Sequence, residues 1–124
     1  MTIIETEVNS RRAILKRAAK IVRKSWGKHR LRDEVAPGVF RYCMLGAILA
    51  AEGKTRKFDN GTHSYTKAYK LIGYNEENDK YTTPFGWNDH LAINSEAVAL
   101  ALEEMAERNE TWMDFCERRG YDSL

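Results

Sequence analysis

The sequence has few of the residues that build disulfide frameworks or metal sites. Two of its 124 residues are cysteines, Cys43 and Cys116, and its three histidines, His29, His63 and His90, are scattered singly. Two cysteines are too few for a disulfide framework, and isolated histidines do not have the ligand spacing of a zinc site. We therefore expect reduced thiols, no metal and no cofactor.

Long apolar runs are also missing. The longest, residues 43–51 and 97–102, are much shorter than the roughly 20 residues that a membrane span needs. Residues 1–8 do not show the basic-then-apolar order of a secretory signal. The hydrophobic fraction of 43% and the charged fraction of 31% are typical of globular proteins. These features predict a cytoplasmic protein without membrane contact, with a tail at 1–9 and a single domain at 10–124.

Acidic residues are absent from 11–32, a segment that holds ten arginines and lysines, although the net charge of the chain is only +2. Residues 95–124 have the opposite balance, with eight acidic residues against three arginines. Either the two segments pack together and neutralise each other, or the basic segment meets an external polyanion. In the second case the candidate nucleic-acid contacts are Arg12, Lys16, Arg23 and Lys24.

Apolar residues recur at intervals of three and four, which is typical of helices that bury one face. The pattern predicts helices at 10–25, 42–52, 64–72, 95–108 and 111–119. Polar loops are expected at 54–62 and 75–86, and 39–42 could form a short strand. The predicted fold class is all-α, or mainly α with at most one short hairpin, in a compact domain of four to five helices with two long loops. The expected N-caps of the first and longest helices are Ser10 and either Asn94 or Ser95.

The second predicted helix is rich in small residues, and Gly46 within it indicates a close contact with a neighbouring element. Cys43 lies in its first turn, where unpaired N–H groups stabilise a thiolate. A nucleophilic Cys43 would need a partner such as Asp89, His63 or His90. Cysteine is also among the residues most often buried, and apolar residues follow Cys43. We therefore expect Cys43 to face inward.

A second group of polar residues follows an aromatic one in Trp87-Asn88-Asp89-His90. Asparagine and aspartate here could form helix caps and Asx turns. They could instead present polar groups beside an aromatic wall to a small ligand. The candidate ligand-binding residues are Arg41, Cys43, Trp87, Asn88 and Asp89, and the catalytic set of an enzyme would be Cys43, Asp89 and His90.

The segment Cys43-Met44-Leu45-Gly46-Ala47, after an arginine and an aromatic residue, resembles the signature of an uncharacterised family of small bacterial and bacteriophage proteins. In that family a Leu-Arg/Lys-Ala-Ala helix precedes a Cys-x-Leu-Gly-Ala helix, and a Trp-Asn-Asp motif follows. The corresponding pieces here lie in order between residues 11 and 106. The family is a domain of unknown function, so the resemblance implies no activity, and neither His63 nor His90 belongs to its motifs.

Three functional hypotheses follow. The first is a small non-enzymatic binding or accessory protein, encoded by a phage or mobile element, that acts on a host protein or small molecule. The second is a cysteine-dependent hydrolase or transferase that uses Cys43. The third is nucleic-acid binding through the basic first helix. The sequence indicates no oligomeric state.

Overall fold

The structure, a computed structural model, describes residues 3–53, 61–75, 77 and 80–121, with the backbone alone at 3–9, 62 and 63. The described part is mainly helical and contains one antiparallel hairpin. Its elements are α1 (Ile3–Ser25), β1 (Arg32–Ala36), β2 (Val39–Tyr42), α2 (Met44–Glu52), α3 (Thr62–Leu71), α4 (Pro84–Gly86), a π-helical turn (Trp87–Leu91), α5 (Ser95–Arg108) and α6 (Trp112–Arg119).

The mainly α class with one short hairpin is confirmed, but the predicted number of four to five helices is wrong. The described residues form six α-helices. The additional helix is α4, which lies in the loop predicted at 75–86 and continues directly into the π-helical turn. A helix of three residues is too short to show a repeat in the sequence. The strand at 39–42 and the Asn94 cap of α5 agree with prediction, whereas α1 begins at Ile3 and not after Ser10.

The core lies where α1 packs against α5 and α2. Helix α2 is apolar on most sides, and its residues 44–49 are all buried. Trp112 and Phe115 of α6 close one end of this core, and the indole N–H of Trp112 donates to the Thr82 carbonyl at 2.8 Å. Within the described residues, no helix is long and apolar enough to cross a membrane.

Opposite charges meet along the contact between α1 and α5. Arg23 pairs with Glu96 and Glu103 at 2.8 Å each, and Lys16 Nζ lies 2.6 Å from Glu107. Arg12 also pairs with Glu107, at 3.1 Å. The basic and acidic segments therefore do pack together. Three of the four residues predicted to contact nucleic acid, Arg12, Lys16 and Arg23, form ion pairs with carboxylates of α5.

Gly46 allows the closest approach of two backbones in the core. A Cβ atom at this position would lie 1.7 Å from the carbonyl oxygen of Leu31, far inside any contact distance. Leu31 directly precedes β1, so this approach fixes the base of the hairpin against α2. The close contact predicted at Gly46 is confirmed, with the Leu31 backbone as the neighbour.

Candidate functional site

A buried asparagine joins three separate parts of the chain. The side-chain oxygen of Asn88 accepts hydrogen bonds from the Trp26 indole at 2.8 Å and from the Met44 backbone N–H at 3.0 Å. Its amide nitrogen donates to the Gly27 carbonyl at 3.2 Å and to Asp89 at 2.9 Å. Asn88 is fully buried, so these four bonds replace the water that the amide gives up. They hold the end of α1 against the start of α2.

Asp89 extends this network to the segment after α1. One oxygen of its carboxylate accepts the backbone N–H of His29 at 3.0 Å, and the other lies 3.3 Å from the imidazole Nδ1 of His29. The Asp89 side chain is 1% exposed, whereas that of His29 is 70% exposed. His29 has a φ of 72°, a left-handed conformation that is strained for a residue with a side chain. Asp89 therefore fixes an unfavourable backbone conformation at the surface.

The π-helical turn explains how three consecutive side chains can all be buried. The N–H of Ala92 donates to the carbonyl of Trp87 at 2.9 Å, five residues earlier, which widens the turn. Trp87, Asn88 and Asp89 are at most 5% exposed, and the Trp87 ring packs 5.5 Å from that of Trp112. The Trp-Asn-Asp motif is thus turned toward the core, where it positions other residues.

Cys43 is the N-cap of α2 and is fully buried, as predicted. Its sulfur accepts the N–H of Gly46 at 3.5 Å, the helix-terminal contact that would favour a thiolate. Burial outweighs this contact and raises the pKa of the thiol to about 12, and the negative charge of Asp89 raises the pKa further. A nucleophile needs a thiolate and access to substrate, and Cys43 has neither at neutral pH.

The surface above the buried network is a basic concavity of about 430 Å³. It lies between the end of α1 and the hairpin, and its charged and aromatic lining residues are Trp26, Lys28, His29, Arg30, Asp33 and Arg41. The ammonium of Lys28 lies 5.4 Å from the centre of the half-buried Trp26 ring. Within the described residues, Lys28, Arg30 and Arg41 form no ion pair with a carboxylate. Their charges are directed at solvent.

The predicted site residues separate into two groups. Arg41 lines the basic concavity, whereas the side chains of Cys43, Trp87, Asn88 and Asp89 are buried, and Asn88 and Asp89 bond residues that line it. This arrangement favours a positioning role for the buried four.

His90 is exposed, and its ring centre lies 6.4 Å from that of His29. The side chain of His63 lies outside the described residues. Within them, no group of three or more histidine, cysteine or acidic side chains could hold a metal ion.

Most of the concavity was missed from the sequence. Lys28 and Arg30 were counted only as part of the basic segment 11–32, and Trp26 and His29 were given no functional role, although an aromatic residue among cations is itself a signal of a binding surface. Of the four predicted nucleic-acid contacts, Lys24 lines a second concavity of about 270 Å³.

Comparison with known families identifies the family of this chain but gives no activity. Residues 7–108 match the model of a family of unknown function, DUF6197. Because this match covers well over half of the 124 residues, the chain belongs to that family. No curated protein and no solved structure matches the chain. Helix α6 lies outside the matched segment, although its aromatic side chains complete the core.

Proposed function

We propose that this member of the DUF6197 family is a non-enzymatic binding protein that takes an anionic group of its partner into the basic concavity. The observation that carries the proposal is the separation of the cations into two sets. Those on the α5-facing side of α1 are neutralised by Glu96, Glu103 and Glu107. Those of the concavity are exposed and form no ion pair with any carboxylate in the described part of the chain.

The construction beneath the concavity supports the same conclusion. A strained residue persists only when its surroundings over-determine it, and such residues concentrate at ligand clamps. His29 is held in this way by Asp89, and Trp26 and Gly27 are held by Asn88. The segment is therefore fixed before any ligand arrives, which lowers the entropic cost of binding.

Two further points define the proposal. A binding role without catalysis fits the buried thiol of Cys43, whose raised pKa removes the one nucleophile suggested by the sequence. The bacterial or bacteriophage source, a role as an accessory factor on a host protein or small molecule, and a cytoplasmic location all stay predictions.

Titration with inorganic tripolyphosphate, a compact polyanion, tests the proposal. Trp87 and Trp112 are buried, so a change in tryptophan fluorescence on binding reports mainly on Trp26. Lys28→Ala and Arg41→Ala should each weaken binding several-fold, because each removes a charge that faces the ligand. The matched controls are Lys70→Ala and Arg108→Ala, which remove exposed cations elsewhere on the described surface.

The expected result is saturable binding at low salt that the control variants retain. The proposal is overturned if tripolyphosphate does not bind at low salt, where electrostatic attraction is strongest. It is equally overturned if the control substitutions weaken binding as much as Lys28→Ala and Arg41→Ala do, since the attraction would then come from net charge alone.

A further inference from the structure

A second concavity lies near the basic concavity. The second is lined by Lys20, Ile21, Lys24, Ser25, Tyr42 and Ala50, none of which lines the first. Ser25 of the second concavity is bonded to Trp26 of the first, Tyr42 of the second is bonded to Arg41 of the first, and the N–H of Gly27 donates to the Tyr42 carbonyl at 2.9 Å. Residues that are neighbours in the chain therefore line the two concavities, and the surface that includes both is called the track here.

Five cations follow this track: Lys20, Lys24, Lys28, Arg30 and Arg41. All five are exposed, and within the described residues none forms an ion pair. Lys20 and Lys24 are one helical turn apart, so their ammonium groups follow each other along α1. Asp33 is the carboxylate that lines the track in the described structure. A row of charges of one sign suits a partner with regularly repeated negative charge.

Flat rings lie among these cations. Trp26 lines the larger concavity, with one edge fixed by its hydrogen bond to Asn88. The largely exposed His29 ring lies beside it in the larger concavity. Proteins that bind single-stranded nucleic acid combine a positive groove for the backbone with aromatic side chains on which bases stack. An acidic polypeptide would use the cations but has no base to place against Trp26.

We infer that the anionic partner of the proposed binding site is a single-stranded nucleic acid that runs over both concavities, with a base against Trp26. This inference rests on the proposed function and extends it. It also differs from binding along the basic face of α1 that the sequence suggested, because Arg12, Lys16 and Arg23 are paired with α5.

Fluorescence anisotropy with a short labelled oligothymidylate tests the inference, with polyglutamate and tripolyphosphate as competing probes. If the five cations each neutralise a phosphate, affinity should fall about 100-fold between roughly 50 and 200 mM salt. Removal of one cation lowers this decrease to about 50-fold. Oligothymidylate should also quench Trp26 fluorescence, and Trp26→Ala should weaken binding about 10-fold, whereas Trp26→Phe retains a ring for stacking.

Lys24→Ala separates this inference from the proposed function, because Lys24 lies in the second concavity. It should weaken oligothymidylate binding and leave tripolyphosphate binding unchanged. A result in which Lys24→Ala affects neither probe overturns the extended track but leaves the proposed function intact. If polyglutamate binds as tightly as oligothymidylate, the inference of a nucleic-acid partner is overturned and an acidic polypeptide is favoured. If Trp26→Ala does not fold, the test of base stacking is the quenching of Trp26 fluorescence by oligothymidylate in the wild-type protein. Absence of this quenching refutes a base stacked on Trp26.

Discussion

Because Asn88 forms four hydrogen bonds, its removal should lower the free energy of unfolding more than removal of most other polar side chains. At about 1 kcal/mol net per hydrogen bond, Asn88→Ala loses about 4 kcal/mol of unfolding free energy, and the Met44 N–H is left buried without its acceptor. Asn94→Ala is the matched control, because Asn94 is exposed and its side chain accepts one bond, from the Ala97 N–H. Loss of such an N-cap costs about 1 kcal/mol.

Urea unfolding followed by tryptophan fluorescence measures both variants. With an m value of about 2 kcal/mol/M, the midpoint should fall by about 2 M for Asn88→Ala and by about 0.5 M for Asn94→Ala. The m value itself should stay constant, since both variants unfold from the same native structure. Equal midpoint shifts would refute the view that Asn88 holds α1, α2 and the intervening segment together.

Three other predictions concern packing, reactivity and pH. Gly46→Ala should cost about 3 kcal/mol in urea unfolding because its methyl group meets a backbone carbonyl, whereas Gly38→Ala meets no atom and costs about 1 kcal/mol from its φ of +75°. Iodoacetamide at neutral pH should label Cys43 about 100-fold faster in urea than in native buffer, as read by peptide mass spectrometry, because burial raises its pKa to about 12; rapid native labelling would contradict the buried placement. Arg23 lowers the pKa of its two α5 carboxylates through hydrogen bonds, so these pairs stabilise the fold above the unfolded pKa of the carboxylates and lose that effect as pH falls through the lowered folded pKa. Thermal melts should therefore show that Arg23→Gln is less stable than wild type at pH 7 and that the difference narrows below roughly pH 4; a constant difference would count against the pairing.

The parts of the fold that depend on local pattern could be predicted. The apolar stripes of α1 and α5 repeat over several turns, and Asn94 sits at a recognisable cap position. Gly46 also indicated close packing, because an interior helical glycine needs a reason. The neighbour, Leu31, could not be named, since nothing local to either residue specifies which distant backbone will approach.

The site was harder to predict for the same reason. Asn88 and Asp89 were recognised as important, but their partners Trp26, Gly27 and His29 lie about 60 residues earlier. The left-handed backbone of His29 is imposed by tertiary contacts and leaves no mark in its own sequence. The charge asymmetry was visible, yet which cations α5 would neutralise depended on how the two helices face each other.

The π-helical turn at Trp87–Leu91 also limits the lengths that this part of the chain can have. Successive residues of an α-helix are rotated by about 100°, so deletion of one residue from the turn would restore an ordinary helix and swing the following side chains by that angle. Asn88 or Asp89 would then point to solvent. The residues that they hold, Trp26 to His29, would lose these hydrogen bonds at the basic concavity. The number of residues between Thr83 and Asn94 is therefore part of what shapes this surface, beside the identity of the residues.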